Sequence, residues 1–214
     1  MRLVLISDTH EQHFNMKIPD GDVLIHAGDA TYRGQQRALQ KFGKWMREQP
    51  HAHKIFIGGN HDLLLEQNPV LAPDFFRGIH YLCETSVEIH GVKFWGSPFS
   101  PRFMDWAFQC ERGDDCERRW AKIPEGTDVV ITHGPPRGCG DECPAMEDRT
   151  KLVHVGCKQL LARLDAIKPK LAVCGHIHEG YGTYYTPGGT PVVNASSVDG
   201  NYRCINPPVV VDIE

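Results

Sequence analysis

Short apolar runs recur along the chain, and each stops at a residue with ligand chemistry. Residues 3–7 lead into Asp8, residues 22–27 into Gly28-Asp29, and residues 54–57 into Gly58-Gly59-Asn60-His61-Asp62. Further on, residues 128–132 end at His133, and residues 171–174 end at Gly175-His176. Unbroken apolar runs of this length predict strands buried on both faces. Between them, Leu39, Phe42, Trp45 and Met46 recur at three- and four-residue spacings, which predicts a helix over 35–48 closed before Pro50. Residues 63–66, 116–122 and 158–167 predict three more helices, the last stopped before Pro169. Residues 86–89 and 92–95 flank His90-Gly91 and predict a tight hairpin, so antiparallel strands join an otherwise parallel sheet. Strands are also expected at 183–186, 192–193 and 209–213.

Two stretches lack a clear period. Residues 96–113 are aromatic (Phe99, Phe103, Trp106, Phe108) and would either rim a pocket or pack on the core. Residues 134–155 hold three prolines and the Cys139/Cys143 pair, a length of loop that is often functional.

Alternating strands and helices define an α/β chain, and 214 residues suit one domain spanning 1–214. A net charge of -4 offers no basic stripe for long nucleic acid. The apolar run at residues 3–6 is too short for a signal h-region or a membrane span, so a cytoplasmic location without membrane partners is expected. The eight cysteines are accordingly read as free thiols. Cys110/Cys116 and Cys139/Cys143 are spaced more loosely than most zinc motifs. Asn194-Ala195-Ser196 matches a glycosylation acceptor, which has no consequence without export. His26, inside a strand, reads as a core histidine. His13, His51, His53, His80, His90 and His154 read as surface or loop residues, and Asp62 as either an orienting group or a helix N-terminal carboxylate.

Ligands in α/β sheets bind beyond the carboxyl ends of strands. Asp8, Asp29, Asn60, His133 and His176 all fall there. Side chains at i and i+2 of extended chain point the same way, so Asp8 with His10, and His176 with His178, can each place two ligands in one site. The donors are nitrogen and oxygen without thiolate, which suits divalent transition metals such as Mn, Fe, Zn, Co or Ni. Two such ions about 3.5–4 Å apart can clamp the attacking and leaving oxygens of an in-line displacement. They need a shared carboxylate, and Asp29 in mid-series is the natural bridge. Two dications against Asp8, Asp29 and a bridging hydroxide leave the centre at about +1, attractive to a phosphoester anion.

The ordered set Asp8-x-His10, Gly28-Asp29, Gly59-Asn60-His61-Asp62, His133 and Gly175-His176-x-His178 resembles the signature of the calcineurin-like metallophosphoesterases. The resemblance implies two stacked mixed β-sheets flanked by α-helices. It implies one ion on Asp8, His10, Asp29 and His178, and another on Asp29, Asn60, His133 and His176. It also makes His61 the catalytic acid that protonates the leaving oxygen or stabilises the transition state. Ile131-Thr132-His133-Gly134-Pro135-Pro136, Asn194-Ala195-Ser196 and Asn206-Pro207-Pro208 are similar to the metallophosphoesterase-domain-containing branch known from vertebrate brain, associated with phosphodiester and nucleotide chemistry.

Departures from the protein-phosphatase members refine the expectation. Those carry arginine before Gly-Asn-His, where this chain has Gly58, and aspartate where it has Tyr32, although Arg33-Gly34 does match. A phosphomonoester dianion thereby loses bidentate partners that a singly charged diester needs less. The expected function is a dinuclear metal-dependent phosphoesterase acting on small phosphodiesters, nucleotides among them, by attack of a metal-bound hydroxide. The alternatives are a nucleotide-binding scaffold with little turnover and a phosphomonoesterase.

Overall fold

A computed structural model describes residues 1–214. In chain order the first half comprises β1 (Arg2–Ile6), β2 (Val23–His26), α1 (Gln36–Glu48), β3 (His53–Phe56), α2 (Leu63–Gln67), α3 (Ala72–Phe75), β4 (His80–Tyr81), β5 (Thr85–Ile89) and β6 (Val92–Ser97). Next come β7 (Ser100–Pro101), β8 (Gln109–Cys110), α4 (Asp114–Trp120), β9 (Val129–Thr132), β10 (Glu142–Pro144) and β11 (Leu152–His154). The chain closes with α5 (Lys158–Ile167), β12 (Leu171–Cys174), β13 (Gly182–Tyr185), β14 (Pro191–Asn194) and β15 (Val209–Asp212).

Two mixed sheets result, in the orders β15-β1-β2-β3-β4 and β13-β14-β12-β9-β6-β5. Strands β1 to β4 run parallel with antiparallel β15 at the edge. The second sheet has a parallel centre with antiparallel β5 and β13 outside it. Alternation along each strand explains the unbroken apolar runs. Leu3, Leu5, Val23, Ile25 and Ile55 face Phe94, Val129, Ile131, Leu171 and Val173 between the sheets. Val4, Ile6, Leu24 and Phe56 turn the other way, onto Leu39, Phe42, Trp45 and Met46 of α1. Trp95, Val130, Ala172 and Val192 likewise meet Trp120 of α4 and Leu160 and Leu164 of α5. The α/β, two-sheet expectation is met.

Gln35, which precedes helix α1 at the capping position, makes no side-chain cap. Losing a cap costs about 1 kcal/mol. Burying Leu39, Phe42 and Met46 completely contributes about 1.5–3 kcal/mol each, so packing decides the helix.

Several expectations need correction. Cys110 and Cys116 are paired in a disulfide rather than free. The end of β8 and the first turns of α4 bring their Cα atoms to 5.4 Å, which leaves no four-thiol cluster with Cys139 and Cys143. His13 and His51 are buried, not surface residues. His13 is packed among Phe14, Phe42 and Trp45, against the helix face of the first sheet. The 134–155 stretch is not structureless, because β10 and β11 pair in it as an antiparallel hairpin. Asn194 is fully buried, so it offers no surface for a glycan.

Candidate metal centre

The carboxyl ends of β1, β2, β3, β9 and β12 meet at one place. The Asp8 N–H donates to Gly28 O at 2.9 Å, and the Gly175 N–H to His133 O at 2.9 Å. A bridge between Ser7 and Ser196 joins the two sheets just beside them. Asp8, His10, Asp29 and His176 all hold positive φ, between 40° and 67°. Such backbone costs about 1–2 kcal/mol per residue outside glycine and collects at functional sites. Gly59 answers a different need, because a Cβ there would stand 2.2 Å from Asp29 Oδ1.

Two clusters form. Asp8, His10 and His178 make one: His178 Nε2 is 3.6 Å from Asp8 Oδ1 and 3.4 Å from His10 Nε2. Asp29, His133 and His176 make the other, with His133 Nε2 at 3.3 Å from Asp29 Oδ2. Asn60 joins the second cluster, its Oδ1 lying 2.9 Å from His133 Nε2. Asp29 Oδ2 is also 3.9 Å from His10 Nε2 and therefore faces both clusters. All seven expected ligand residues converge, and His61 stands beside them, its Nε2 at 4.0 Å from Asp29 Oδ2.

The donor set fits cations. His10 Nδ1 lies 3.1 Å from Thr31 O, and His133 Nδ1 lies 2.9 Å from Ala27 O. Those carbonyls make each Nδ1 the proton-bearing donor, so the Nε2 lone pairs point inward, as metal-binding histidines require. Burial pushes His10 down to about 4 and His176 down to about 3, keeping both neutral. Burial acts the same way on His133, but the Asp29 carboxylate overrides it and raises His133 to about 9. Cation binding here would therefore release a proton.

Other residues hold this arrangement, and sequence reading missed most of them. The Asp8 carboxylate accepts the His176 N–H at 3.0 Å and the Ser196 Oγ–H at 2.8 Å. Asn194 Nδ2 donates to Ile177 O at 2.8 Å and to Gly140 O at 3.0 Å, fixing the turn that carries His176 and His178. The only sequence signal for this pair was Asn194-Ala195-Ser196 itself. Asp62 proves an orienting group rather than a helix cap. Its carboxylate accepts the N–H groups of Ala30, Thr31 and Gly59 and the Thr31 hydroxyl, at 2.8–3.2 Å. Burial and the Asp29 carboxylate push Asp62 up to about 7, against those four donors. His26 is the satisfied core histidine expected, with Nε2 at 2.9 Å from Thr9 Oγ1.

The centre opens into a cleft of about 460 Å³ bordered by His61, Phe103, Trp106, His178 and Tyr202. The aromatic 96–113 stretch thus does both things expected of it. Phe108 is buried in the core, whereas Phe103 and Trp106 rim the cleft.

Fold and donor set together define a metallophosphoesterase. The family profile described as Calcineurin-like phosphoesterase matches residues 1–180, and the chain belongs to that family. Metallophosphoesterase domain-containing protein 1 of Homo sapiens is 38% identical over 236 residues, covering 99% of this chain and 71% of that protein. A UPF0046 protein of Caenorhabditis elegans is 36% identical over 231 residues, covering 100% of this chain and 81% of that one. A solved structure from Thermus thermophilus shares the fold, with a TM-score of 0.62 at 12% identity over 90% of this chain and 88% of that one. Family membership makes phosphoester hydrolysis the reaction class. No helix is long and apolar enough to cross a membrane.

Proposed function

We propose that this chain is a dinuclear metal-dependent phosphodiesterase acting on small phosphodiesters, nucleotides among them. The observation that carries the reading is Asp29, whose Oδ2 lies 3.3 Å from His133 and 3.9 Å from His10, one histidine from each cluster. Asp8, His10, Asn60, His133, His176 and His178 would complete the two ligand sets. A pair of divalent ions held there would supply Lewis acidity and acidify a water toward neutrality.

The chain's own residues supply the rest. Nδ1 of His61 lies 2.7 Å from Tyr32 O and is thereby the donor of that bond, leaving Nε2 to face the centre. In the doubly protonated imidazolium Nε2 also carries a proton. As the P–O bond to the leaving oxygen breaks, the electron pair of that bond takes the Nε2 proton and leaves neutral His61 with its Nδ1–H still on Tyr32 O. Arg102, Arg112 and Arg149 border the cleft and favour an anionic substrate. Gly58 supports a diester over a monoester dianion. A Cβ there would stand 3.0 Å from Phe108 Cε2, so a side chain at this position would have to displace that ring.

The test is a metal screen with a nitrophenyl phosphodiester, the matching monoester and cyclic nucleotides, run on wild type and His61→Ala. Expected are divalent-dependent turnover at least about tenfold better for the nitrophenyl diester than for its monoester, and in the variant, with its metal retained, a loss of about 10²–10⁴-fold on the cyclic nucleotides, whose leaving oxygen is an alkoxide. Faster monoester turnover, or turnover indifferent to chelation, contradicts the proposal.

A further inference from the structure

The cleft wall contains an aromatic contact that the ligand set does not explain. Trp106 and His61 are stacked, with ring centroids 4.2 Å apart and planes 29° from parallel. Both side chains are half-buried at the cleft. The hydrogen-bond contact between His61 Nδ1 and Tyr32 O fixes one edge of the imidazole but leaves its plane free to tilt about that bond. A ring laid on the imidazole face removes that freedom. His10 closes a third side, edge-on at 4.8 Å.

The segment carrying Trp106 is tied to the segment carrying His61. The Ala107 N–H donates to Asn60 O at 3.2 Å, and the Phe108 N–H to Glu66 Oε1 at 2.8 Å. Asn60 immediately precedes His61, and Glu66 lies in α2, just beyond it. Behind them, the Phe108 ring abuts Gly58 and meets Phe99 edge-on at 5.5 Å. Met104 and Phe108, on either side of Trp106, hold φ values of 53° and 52°. Non-glycine residues in that region cost free energy, and such strain persists where the surroundings enforce a required conformation. Phe108 and Ala107 are anchored in the core, whereas the Trp106 ring between the two strained positions sits on His61 at the cleft.

We propose that Trp106 is a positioning residue for the leaving-group step: it clamps the His61 imidazole so that Nε2 faces the leaving oxygen. The kinetic consequence of the clamp rests on the phosphodiesterase reading, whereas the clamp itself does not. A misplacement of about 1 Å can cost about 10²-fold in rate, so a clamp on the acid acts on kcat rather than on substrate binding. Its effect scales with the need for a proton. Diesters of high-pKa phenols need the acid at the leaving oxygen, and diesters of nitrophenol hardly do.

The experiment compares wild type, Trp106→Leu, Trp106→Phe, His61→Ala and the Trp106→Leu/His61→Ala double variant, with thermal unfolding and elemental analysis as controls on fold and metal content. Expected for Trp106→Leu is a roughly ten- to hundredfold loss of kcat on the high-pKa diester, with KM and nitrophenyl-diester turnover within about threefold. Trp106→Phe, which keeps a ring face, should recover most of that loss. The double variant should be no slower than His61→Ala.

A second readout needs no turnover. In the chain loaded with diamagnetic Zn²⁺, the His61 ring-proton NMR signals should lie upfield through the indole ring current and move downfield in Trp106→Leu. Equal losses on both diesters, losses that multiply in the double variant, or His61 signals indifferent to Trp106 overturn the clamp. A wild-type chain without diester turnover sinks the phosphodiesterase reading instead, and the NMR comparison then decides the clamp alone.

Discussion

The Ser196 hydroxyl donates to Asp8 Oδ2 at 2.8 Å across 188 residues of sequence, and both side chains are completely buried. Asp8 follows β1 of one sheet, whereas Ser196 follows β14 of the other, so this bond ties the two sheets together at the candidate metal centre. It orients the carboxylate toward His178 and His10. Hydrogen bonds to ligand carboxylates of this kind govern how well a site holds its ion. Ser196→Ala should therefore weaken metal binding about 10–100-fold while leaving the fold intact, as read by calorimetric titration with Mn²⁺ or Zn²⁺. Wild-type affinity in the variant would show that Asp8 is held without this bond.

Asp62 presents a sharper dependence on charge. Four hydrogen-bond donors converge on its two oxygens, two on each. Asp62→Asn turns one oxygen into an NH₂ group that faces two donors. Leaving a buried donor unmatched costs about 1–3 kcal/mol, so the variant should lose at least about 2 kcal/mol in urea unfolding. It should also lose register between the Asp29 and Asn60 loops, seen as weaker metal binding.

The fold's acid sensitivity has a traceable source away from the centre. Burial holds His13 down at about 4 and neither ring nitrogen has a partner. The unfolded side chain has a pKa of about 6.5, so between those values the unfolded state binds more protons. Stability contributed by neutral His13 is thus fully present above about pH 6.5 and is lost as pH falls toward about 4, to the order of 3 kcal/mol. His26, which burial pushes down to about 3, acts in the same direction. Urea unfolding of the metal-free chain at about pH 7.5, 6 and 5 should show that slope, and His13→Phe should make it shallower, the remainder resting on His26, His10 and His176. An unchanged slope in the variant would place the acid sensitivity elsewhere.

The elements that hold the candidate ligands were readable from the chain for a physical reason. Strands buried on both faces must be apolar throughout, so the first polar residue after each run marks a strand end. Asp8, Asp29, Asn60, His133 and His176 stand at those ends. Local pattern carried no such information for Ser196, Asn194 or Trp106. Their roles arise where the two sheets, or a loop and a strand end, meet in space. His13 lies in a polar-looking stretch, and only the placement of α1 over the first sheet buries it. The hairpin of β10 and β11 has three residues in each strand, too few to establish a period. The Cys110–Cys116 disulfide depends on a turn between β8 and α4 that spacing alone did not reveal.

A dinuclear centre requires Asp29 to serve two ions at once. The direct measurement is the anomalous scattering of crystals of this chain grown with Mn²⁺ or Zn²⁺, alongside Asp29→Asn. Wild type should show two peaks about 3.5–4 Å apart with Asp29 Oδ2 between them, and the variant should lose at least one of the two. A single peak in wild type, or two peaks with Asp29 bound to neither, would contradict it.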